Sequence, residues 1–301
     1  MYRLITVGLA FVVGYGSFGA EPRTHVSSLL RQSNTLWAAT FGEGLLRSDD
    51  DGRSWTRAPL PSDVTRVLAL TVGRTGRVIA GTESAGVWKS DDRGKSWDRW
   101  DVGLPDRVSI EALFTDRADL AWAGTTDDGL FQRGQNDDSW HRVTTWRSTS
   151  AVSAIAGWRD VILVGTWGGG LFRTEDRGKT WFRCTGIPEV MTIAAVGADD
   201  GGRVVVGNEE GAIYALDQPS RSWGRLATGD LRASLYQLQI LRDGHIIAAT
   251  SRGVFVTEPG THRWTQDAGG EDPLLGCVLW KTDDSGFHVM RKAPKATTDG
   301  P

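Results

Sequence analysis

Carboxylates, hydroxyls and glycines recur in one eight-residue pattern, Ser/Thr-x-Asp-x-Gly-x-Ser/Thr-Trp. The three intact copies span residues 48–55, 90–97 and 174–181. The carboxylate could bind an ion or a sugar, but a calcium ion takes about six to eight oxygen ligands, so a lone carboxylate makes a poor site. Asp and Ser side chains also bond neighbouring backbone amides, and Gly tolerates a positive φ. The pattern therefore predicts tight structural turns, each covered by its closing Trp. The residues assigned to these turns are Ser48, Asp50, Gly52, Trp55, Ser90, Asp92, Gly94, Trp97, Thr174, Asp176, Gly178 and Trp181.

The closing Trp residues belong to a longer repeat, with steps of 41 to 43 residues. The turns before the third, fifth and sixth Trp keep polar residues and breakers but lose the eight-residue pattern. The period therefore persists where the motif decays. The six positions are Trp55, Trp97, Trp140, Trp181, Trp223 and Trp264.

A second pattern runs in step with the first: a small residue, a Thr or Asn, a short loop, and a Gly before apolar residues. Examples are Gly81–Trp88 and Gly165–Phe172, and each unit opens with an apolar run such as Val64–Thr71. One unit thus reads as four short strands, A to D, separated by turns at hairpin spacing. Units of about 40–45 residues with four strands are typical of propeller blades. We predict an all-β, six-bladed β-propeller of four-stranded antiparallel blades, with seven blades or an incomplete seventh as the alternative.

The eight-residue pattern resembles the Asp-box, or BNR repeat, found in sialidases, sortilin-type receptor ectodomains, xyloglucanases and photosystem II assembly factors. The resemblance implies that each Asp-box lies on the turn between strands C and D, away from the usual ligand face. A ligand is then expected on the opposite face, which consists of the B–C loops and the D–A connections. The candidate ligand-binding residues there are Phe41, Glu43, Glu83, Asp127, Trp167 and Glu209.

These loop residues permit two interpretations. Two carboxylates about 5–10 Å apart would suit glycoside hydrolysis, and Trp167 could stack on a sugar ring. Alternatively, the carboxylates are merely solvated. Sialidase resemblance would imply a Phe/Tyr-Arg-Ile-Pro motif and a Tyr activated by a Glu. The motif is absent, and Tyr214 and Tyr236 have no clear acidic neighbour in the sequence. No catalytic residue can be named.

We therefore expect a non-catalytic module that binds a protein or peptide, or assists assembly, through its loop face. The alternative is a carbohydrate-active protein, either a glycoside hydrolase or a lectin, that uses the loop carboxylates with Trp167. Sialidase activity is not expected. One propeller scaffold hosts many functions, so the fold does not choose between the two.

Composition narrows the possible partners. The chain has 301 residues, 40% of them hydrophobic and 24% charged, as in ordinary globular proteins. Its net charge is −3 without a basic stripe, so nucleic acid is not an expected partner. The five His residues are scattered without metal-ligand spacing, and we expect no metal, no cofactor and a monomer.

The N-terminal residues resemble an export signal. Arg3 precedes the apolar run Leu4–Val13, and small residues end the segment at Ala20. We predict a signal peptide at 1–20, a propeller domain at 21–292 whose last residues form a closing hairpin, and a disordered tail at 293–301. The mature protein would then be periplasmic or extracellular, without a membrane span. A buried N-terminal strand is the alternative.

The two cysteines, Cys184 and Cys277, lie on nearly opposite parts of the predicted ring. A disulfide requires Cα atoms within about 7 Å. We predict free, buried thiols.

Overall fold

The computed structural model describes residues 25–50, 54–188, 191–198, 201–217, 222–226, 235–240, 245–250, 253–257, 263–266, 279–283 and 286–290. The predicted signal peptide, the C-terminal tail, Gly52 and Cys277 lie outside these residues.

Six sheets of four antiparallel strands follow one another along the chain, and we call their strands A to D of blades 1 to 6. Blades 1 to 3 contain β1 (His25–Gln32), β2 (Thr35–Phe41), β3 (Leu45–Ser48), β4 (Thr56–Arg57), β5 (Val67–Val72), β6 (Val78–Thr82), β7 (Val87–Ser90), β8 (Asp98–Arg99), β9 (Ile110–Thr115), β10 (Ala121–Thr125), β11 (Leu130–Arg133) and β12 (His141–Arg142). Blades 4 to 6 contain β13 (Val152–Trp158), β14 (Val161–Thr166), β15 (Gly170–Thr174), β16 (Phe182–Arg183), β17 (Ala195–Ala198), β18 (Val204–Gly207), β19 (Ile213–Asp217), β20 (Ser222–Arg225), β21 (Leu235–Ile240), β22 (Ile246–Thr250), β23 (Gly253–Thr257) and β24 (Trp264–Gln266). The predicted six-bladed, all-β propeller is confirmed.

Burial decreases from strand A to strand D within a blade. Every residue of β5 is buried, whereas both residues of β8 are exposed. The A strands of consecutive blades, from β1 to β21, pack against one another. Strand A is therefore innermost, beside the propeller axis, and strand D forms the outer wall. Burial of the A strands on both faces explains why their sequences read as nearly continuous apolar runs.

The small residue near the end of strand B provides space for the next blade. A Cβ atom at Gly81 would lie 2.5 Å from Ile110 Cγ2, and one at Gly165 would lie 2.5 Å from Ile193 Cγ2. Real Cβ atoms do not approach so closely, so only Gly fits here without a shift. Each aliphatic side chain lies at the first position of the next blade's A strand, except that Ile193 lies just before β17. The four glycine–aliphatic pairs are Gly81–Ile110, Gly124–Val152, Gly165–Ile193 and Gly207–Leu235.

A separate two-stranded sheet follows blade 6. It pairs β25 (Leu279–Asp283) with β26 (Gly286–Met290) in antiparallel register. This hairpin lies where the closing hairpin was expected, and its role at the seam of the ring stays a prediction.

Antiparallel pairing of the four strands fixes two faces of the propeller. The A–B and C–D turns lie on one face, and the B–C loops and D–A connections lie on the other. We call the second the loop face. Because the A strands start there and are innermost, the residues around their first positions lie close to the axis.

Candidate functional site

The intact Asp-boxes form C–D turns, as in the turn between β7 and β8. The Asp92 carboxylate accepts hydrogen bonds from Ser90 Oγ at 2.9 Å, from the Ser96 amide at 2.9 Å and from Ser96 Oγ at 2.6 Å. Ser90 Oγ in turn accepts a bond of 2.6 Å from the Gly94 amide. These bonds occupy both carboxylate oxygens within the turn itself.

The same bonds recur in the other intact boxes, around Asp50 and Asp176. The hydroxyl and amide of Ser96 lower the pKa of Asp92 to about 2. Those of Thr180 lower the pKa of Asp176 to about 2 in the same way. Such carboxylates stay ionised and engaged at neutral pH, and this chemistry fits a structural turn better than an acid or base catalyst.

A tryptophan from the preceding blade covers each of two Asp-box glycines. Gly94 has φ +81°, and a Cβ atom there would overlap the Trp37 ring on β2. Trp37 also meets the box residue Trp97 edge to face, with ring centroids 5.7 Å apart. The equivalent arrangement between blades 3 and 4 consists of Trp122, Gly178 and Trp181. Sequence reasoning missed these B-strand tryptophans, although they precede the box they cover by a similar interval.

In blade 3 the Asp-box is lost, and a buried arginine takes its place. Arg133 stands seven residues before Trp140, where intact boxes have Ser or Thr. Its guanidinium donates to the carbonyls of Asp137 at 3.1 Å and Asp138 at 2.9 Å, and it lies 4.4 Å from the Trp100 ring centroid. Arg133 therefore holds the turn through its backbone carbonyls, whereas Asp holds the other turns through amides.

The B–C loops on the opposite face share one closure. Thr82 Oγ1 donates to the Gly86 carbonyl at 2.8 Å and accepts the Ala85 amide at 2.8 Å. The Thr side chain is buried, and a backbone bond from the Thr82 amide to the Gly86 carbonyl completes the loop. Thr40 and Thr125 make the same three bonds. These hydroxyls explain the Thr and the Gly of the second sequence pattern.

The residue after this Thr, or after the equivalent Asn208, occupies one structural position in every described loop. Its amide pairs with the residue before strand A in blades 2, 3 and 4. The position therefore lies beside the propeller axis on the loop face. The five residues at this position are of four types, and they are Phe41, Glu83, Thr126, Trp167 and Glu209.

Arg66 joins two of the predicted ligand residues across the boundary between blades 1 and 2. Its guanidinium lies 4.3 Å from the Phe41 ring centroid, and its Nη1 forms an ion pair of 2.6 Å with Glu83 Oε2. Half of the Arg66 side chain is exposed. The structure thus brings Phe41 and Glu83 together, through an arginine that sequence reasoning did not single out.

Trp167 is half-buried in the B–C loop of blade 4. Its amide donates to the Ala151 carbonyl at 3.0 Å, and the next amide, Gly168, donates to Thr192 Oγ1 at 3.0 Å. The loop backbone is therefore fixed to its own blade and to blade 5. Apart from its two neighbours in the chain, no residue has an atom within 4 Å of a Cβ built on Gly168, so the loop is open at this position.

Two glutamates near the axis are held differently. Glu111, on β9, accepts hydrogen bonds from Ser109 Oγ at 2.8 Å and Thr126 Oγ1 at 3.0 Å. Burial and, to a lesser extent, the charge of Glu210 raise the pKa of Glu209. Its Oε1 atom is buried and accepts no hydrogen bond from the described residues. The Glu209 carboxyl group is therefore protonated more easily than an ordinary solvated glutamate.

The other predicted ligand residues, Glu43 and Asp127, also lie in B–C loops. The Glu43 amide donates to Thr40 Oγ1 at 3.1 Å, and Asp127 is exposed in the loop of blade 3. Among the described residues, no group of three or more His, Cys, Asp and Glu side chains is arranged to hold a metal ion. No helix in the described part of the chain has the length and the apolar stretch that a membrane span requires.

Cys184 is a free thiol within the described ranges, as predicted, but it is half-buried rather than fully buried. It follows strand D on the outer wall, where packing is incomplete. Burial nevertheless raises the pKa of the Cys184 thiol to about 11.

These features define the protein as a six-bladed β-propeller with structural turns on one face and a varied set of side chains on the other. No family model matches the chain, and no curated protein matches it. Its likeness is to solved structures.

The extracellular domain of the one-component system BT4673 from B. thetaiotaomicron has a TM-score of 0.70 and 17% identity, over 96% of this chain and 40% of that chain. The GH74 xyloglucanase from Xanthomonas campestris has a TM-score of 0.67 and 17% identity, over 87% of this chain and 46% of that chain. YCF48 bound to D1 peptide has a TM-score of 0.55 and 13% identity, over 71% of this chain and 70% of that chain. The chain spans less than half the length of the first two. At these identities the likeness establishes the propeller fold alone.

Proposed function

We propose that this protein is an exported, non-catalytic propeller that binds a protein or peptide segment through its loop face. The observation that carries the proposal is that the B–C loops share one backbone closure but present different side chains next to it. Buried Thr hydroxyls close the loops of blades 1 to 4, and the Asn208 side chain does so in blade 5. The next position carries Phe41, Glu83, Thr126, Trp167 or Glu209. A rigid frame that presents different side chains suits recognition of an irregular surface.

The carboxylates near the axis favour binding over hydrolysis. A glycoside hydrolase needs two opposed carboxyl groups, one of them free to protonate the leaving group. Glu83 is paired with Arg66, and Glu111 accepts two hydroxyl hydrogen bonds. Both groups are therefore already engaged by side chains of the protein itself.

Two similar structures support the proposal by analogy. One is an extracellular domain, and another is a propeller with a bound peptide. Export of this chain rests in addition on the predicted signal peptide at 1–20.

A carbohydrate ligand is the second candidate, and two residues favour it. Trp167 offers a half-exposed aromatic face, and Glu209 has a raised pKa. A lectin would use Trp167 to stack on the sugar, and a hydrolase would also need Glu209 as its general acid.

The test compares protein capture with glycan binding. The mature protein is used as bait in the native secretome and is probed in parallel on a glycan array. A loop-face variant, Phe41→Ala with Trp167→Ala, is matched by Lys95→Ala, an exposed residue in a C–D turn. The proposal expects a partner that the wild type and Lys95→Ala retain and that the loop-face variant loses.

Glycan binding that Trp167→Ala abolishes, with no such partner, would replace protein recognition by the carbohydrate function. Capture that the loop-face variant and Lys95→Ala support equally would reject the loop face as the binding surface.

A further inference from the structure

A third repeat lies on strand D, where the second residue after the closing Trp is arginine in five blades. Blades 3 and 5 have lost the Asp-box and nevertheless keep this arginine, so it does not belong to the turn. All five residues are exposed. They are Arg57, Arg99, Arg142, Arg183 and Arg225, and Gln266 takes the position in blade 6.

In blades 1 and 4 the arginine reaches directly from the outer wall to the loop face. Arg57 Nη2 donates to the carbonyls of Ser62 at 3.1 Å and Val64 at 3.4 Å, within the D–A connection. Arg183 Nη2 donates to the Gly169 carbonyl at 3.1 Å, within the B–C loop that carries Trp167. Both guanidinium groups thus bind backbone carbonyls of the segments that form the loop face.

The last glycine of the B–C loop lies within van der Waals reach of these groups. A Cβ atom at Gly44 would lie 3.6 Å from Arg57 Nη2, and one at Gly129 would lie 3.9 Å from Arg142 Nη2. Both glycines have positive φ angles, of +78° and +84°. The arginine and the glycine therefore form one repeated unit.

Blade 2 reaches the same place through an intermediate carboxylate. Arg99 Nε donates to Asp101 Oδ2 at 2.6 Å, and a Cβ atom at Gly86 would overlap that oxygen. Gly86 has φ +71°. The guanidinium of Arg99 thus contacts the end of the B–C loop indirectly, through the Asp101 carboxylate.

We infer that the strand-D arginines are positioning residues that fix the B–C loops and D–A connections, and so preform the binding surface. The inference rests on the proposed function for its biological meaning, although the positioning itself is measurable without a ligand. A planar guanidinium suits the task because its several donors reach carbonyls in a fixed geometry. A surface fixed in advance loses less conformational entropy on binding.

Arg183→Ala and Arg183→Lys test the inference in the blade that carries Trp167. Hydrogen exchange followed by mass spectrometry reports the amides of 167–170, among which Gly168 and Gly170 bond blade 5. Arg183→Ala should speed their exchange about tenfold or more, because a charge-assisted hydrogen bond is lost. Arg183→Lys keeps one donor and should show a smaller increase. Arg173→Ala is the matched control, since Arg173 pairs with Glu175 on the same blade.

Selectivity separates positioning from general stabilisation. Exchange across the Asp-box, residues 174–181, should not change in Arg183→Ala. Unchanged exchange at 167–170, or an equal rise across the box, would overturn the inference. If Arg183→Ala fails to fold, Arg142→Ala is used instead. Faster hydrogen exchange at the amides of 126–129 would then support the inference in blade 3, and unchanged exchange there would overturn it.

Binding adds a separate readout. If a captured partner binds Arg183→Ala more weakly than Arg173→Ala, loop positioning contributes to recognition. If no partner is captured, the proposed function fails while the exchange result still decides the positioning role.

Discussion

The Asp92 carboxylate depends on donors that come together only in the folded turn. In the unfolded chain its pKa returns towards 3.8, whereas in the fold it is about 2. A group whose pKa is lower in the folded state stabilises the fold above its unfolded pKa. That contribution is lost as the pH falls towards the folded value.

Asp92→Asn is therefore expected to lower the free energy of unfolding at pH 7, because the amide cannot accept all three bonds. Denaturant unfolding of both proteins between pH 7 and pH 2 checks this. The wild-type advantage should be constant above about pH 5 and shrink as the pH falls from there towards about 2. Asp98→Asn, at an exposed position on β8, is the control. An advantage that grew in acid would contradict the expectation.

Gly94→Ala tests the contact between blades 1 and 2 at a single atom. The added methyl group would enter the Trp37 ring, at a residue with φ +81°. Gly168→Ala is the matched control, because its φ is +68° with no neighbour within 4 Å. Gly94→Ala should destabilise the protein by roughly 1–3 kcal/mol more than the control does. Equal losses of unfolding free energy in the two variants would contradict this expectation and would show that the Trp37 ring shifts at little cost.

At the scale of elements, the C–D turn is stabilised in two different ways within one chain. Asp gathers amides and hydroxyls in blades 1, 2 and 4, and Arg133 gathers carbonyls in blade 3. Both solutions leave the strand pairing on either side unchanged. Position and packing therefore define the turn more than its residue types do.

Arg133→Ser is expected to destabilise the protein by roughly 2–3 kcal/mol, because the carbonyls of the turn lose the charged donor of a buried side chain. Adding Gln135→Asp and Asp137→Gly rebuilds an intact Asp-box with the native Ser139 and Trp140. The triple variant should recover part of the loss in urea denaturation. A triple variant no more stable than Arg133→Ser would show that blade 3 cannot accept the box.

The sequence was sufficient for the fold because its signals are local. The bonds of the Asp-box join residues at most four apart, and the 41-to-43-residue period follows directly from the tryptophans. Five of the six predicted ligand residues lie on B–C loops, and Phe41 is the last residue of the strand before such a loop. Their grouping was not predictable, because Arg66 joins Phe41 and Glu83 across two blades. The roles of Trp37 and Arg133 likewise depend on contacts with neighbouring blades.

At the scale of the whole molecule, the proposed function requires that the protein is exported. Expression of the full chain in a bacterial host should yield an exported product that has lost residues 1–20, because small residues precede the expected cleavage site. Intact-mass measurement of the exported protein checks this. A leucine-to-aspartate change at Leu9, within the apolar run, should keep the protein in the cytoplasm at full length. A wild-type chain that stays in the cytoplasm at full length would argue for the buried-strand alternative.

The glycine sockets on the B strands all point in one direction, since each receives a side chain from the blade that follows it in the chain. Each unit therefore has a glycine that receives a side chain from the next unit, and an aliphatic side chain that packs on the glycine of the preceding unit. Tandem duplication of one unit would create no new kind of joint, so such a ring can grow by gene duplication while its loops diversify separately.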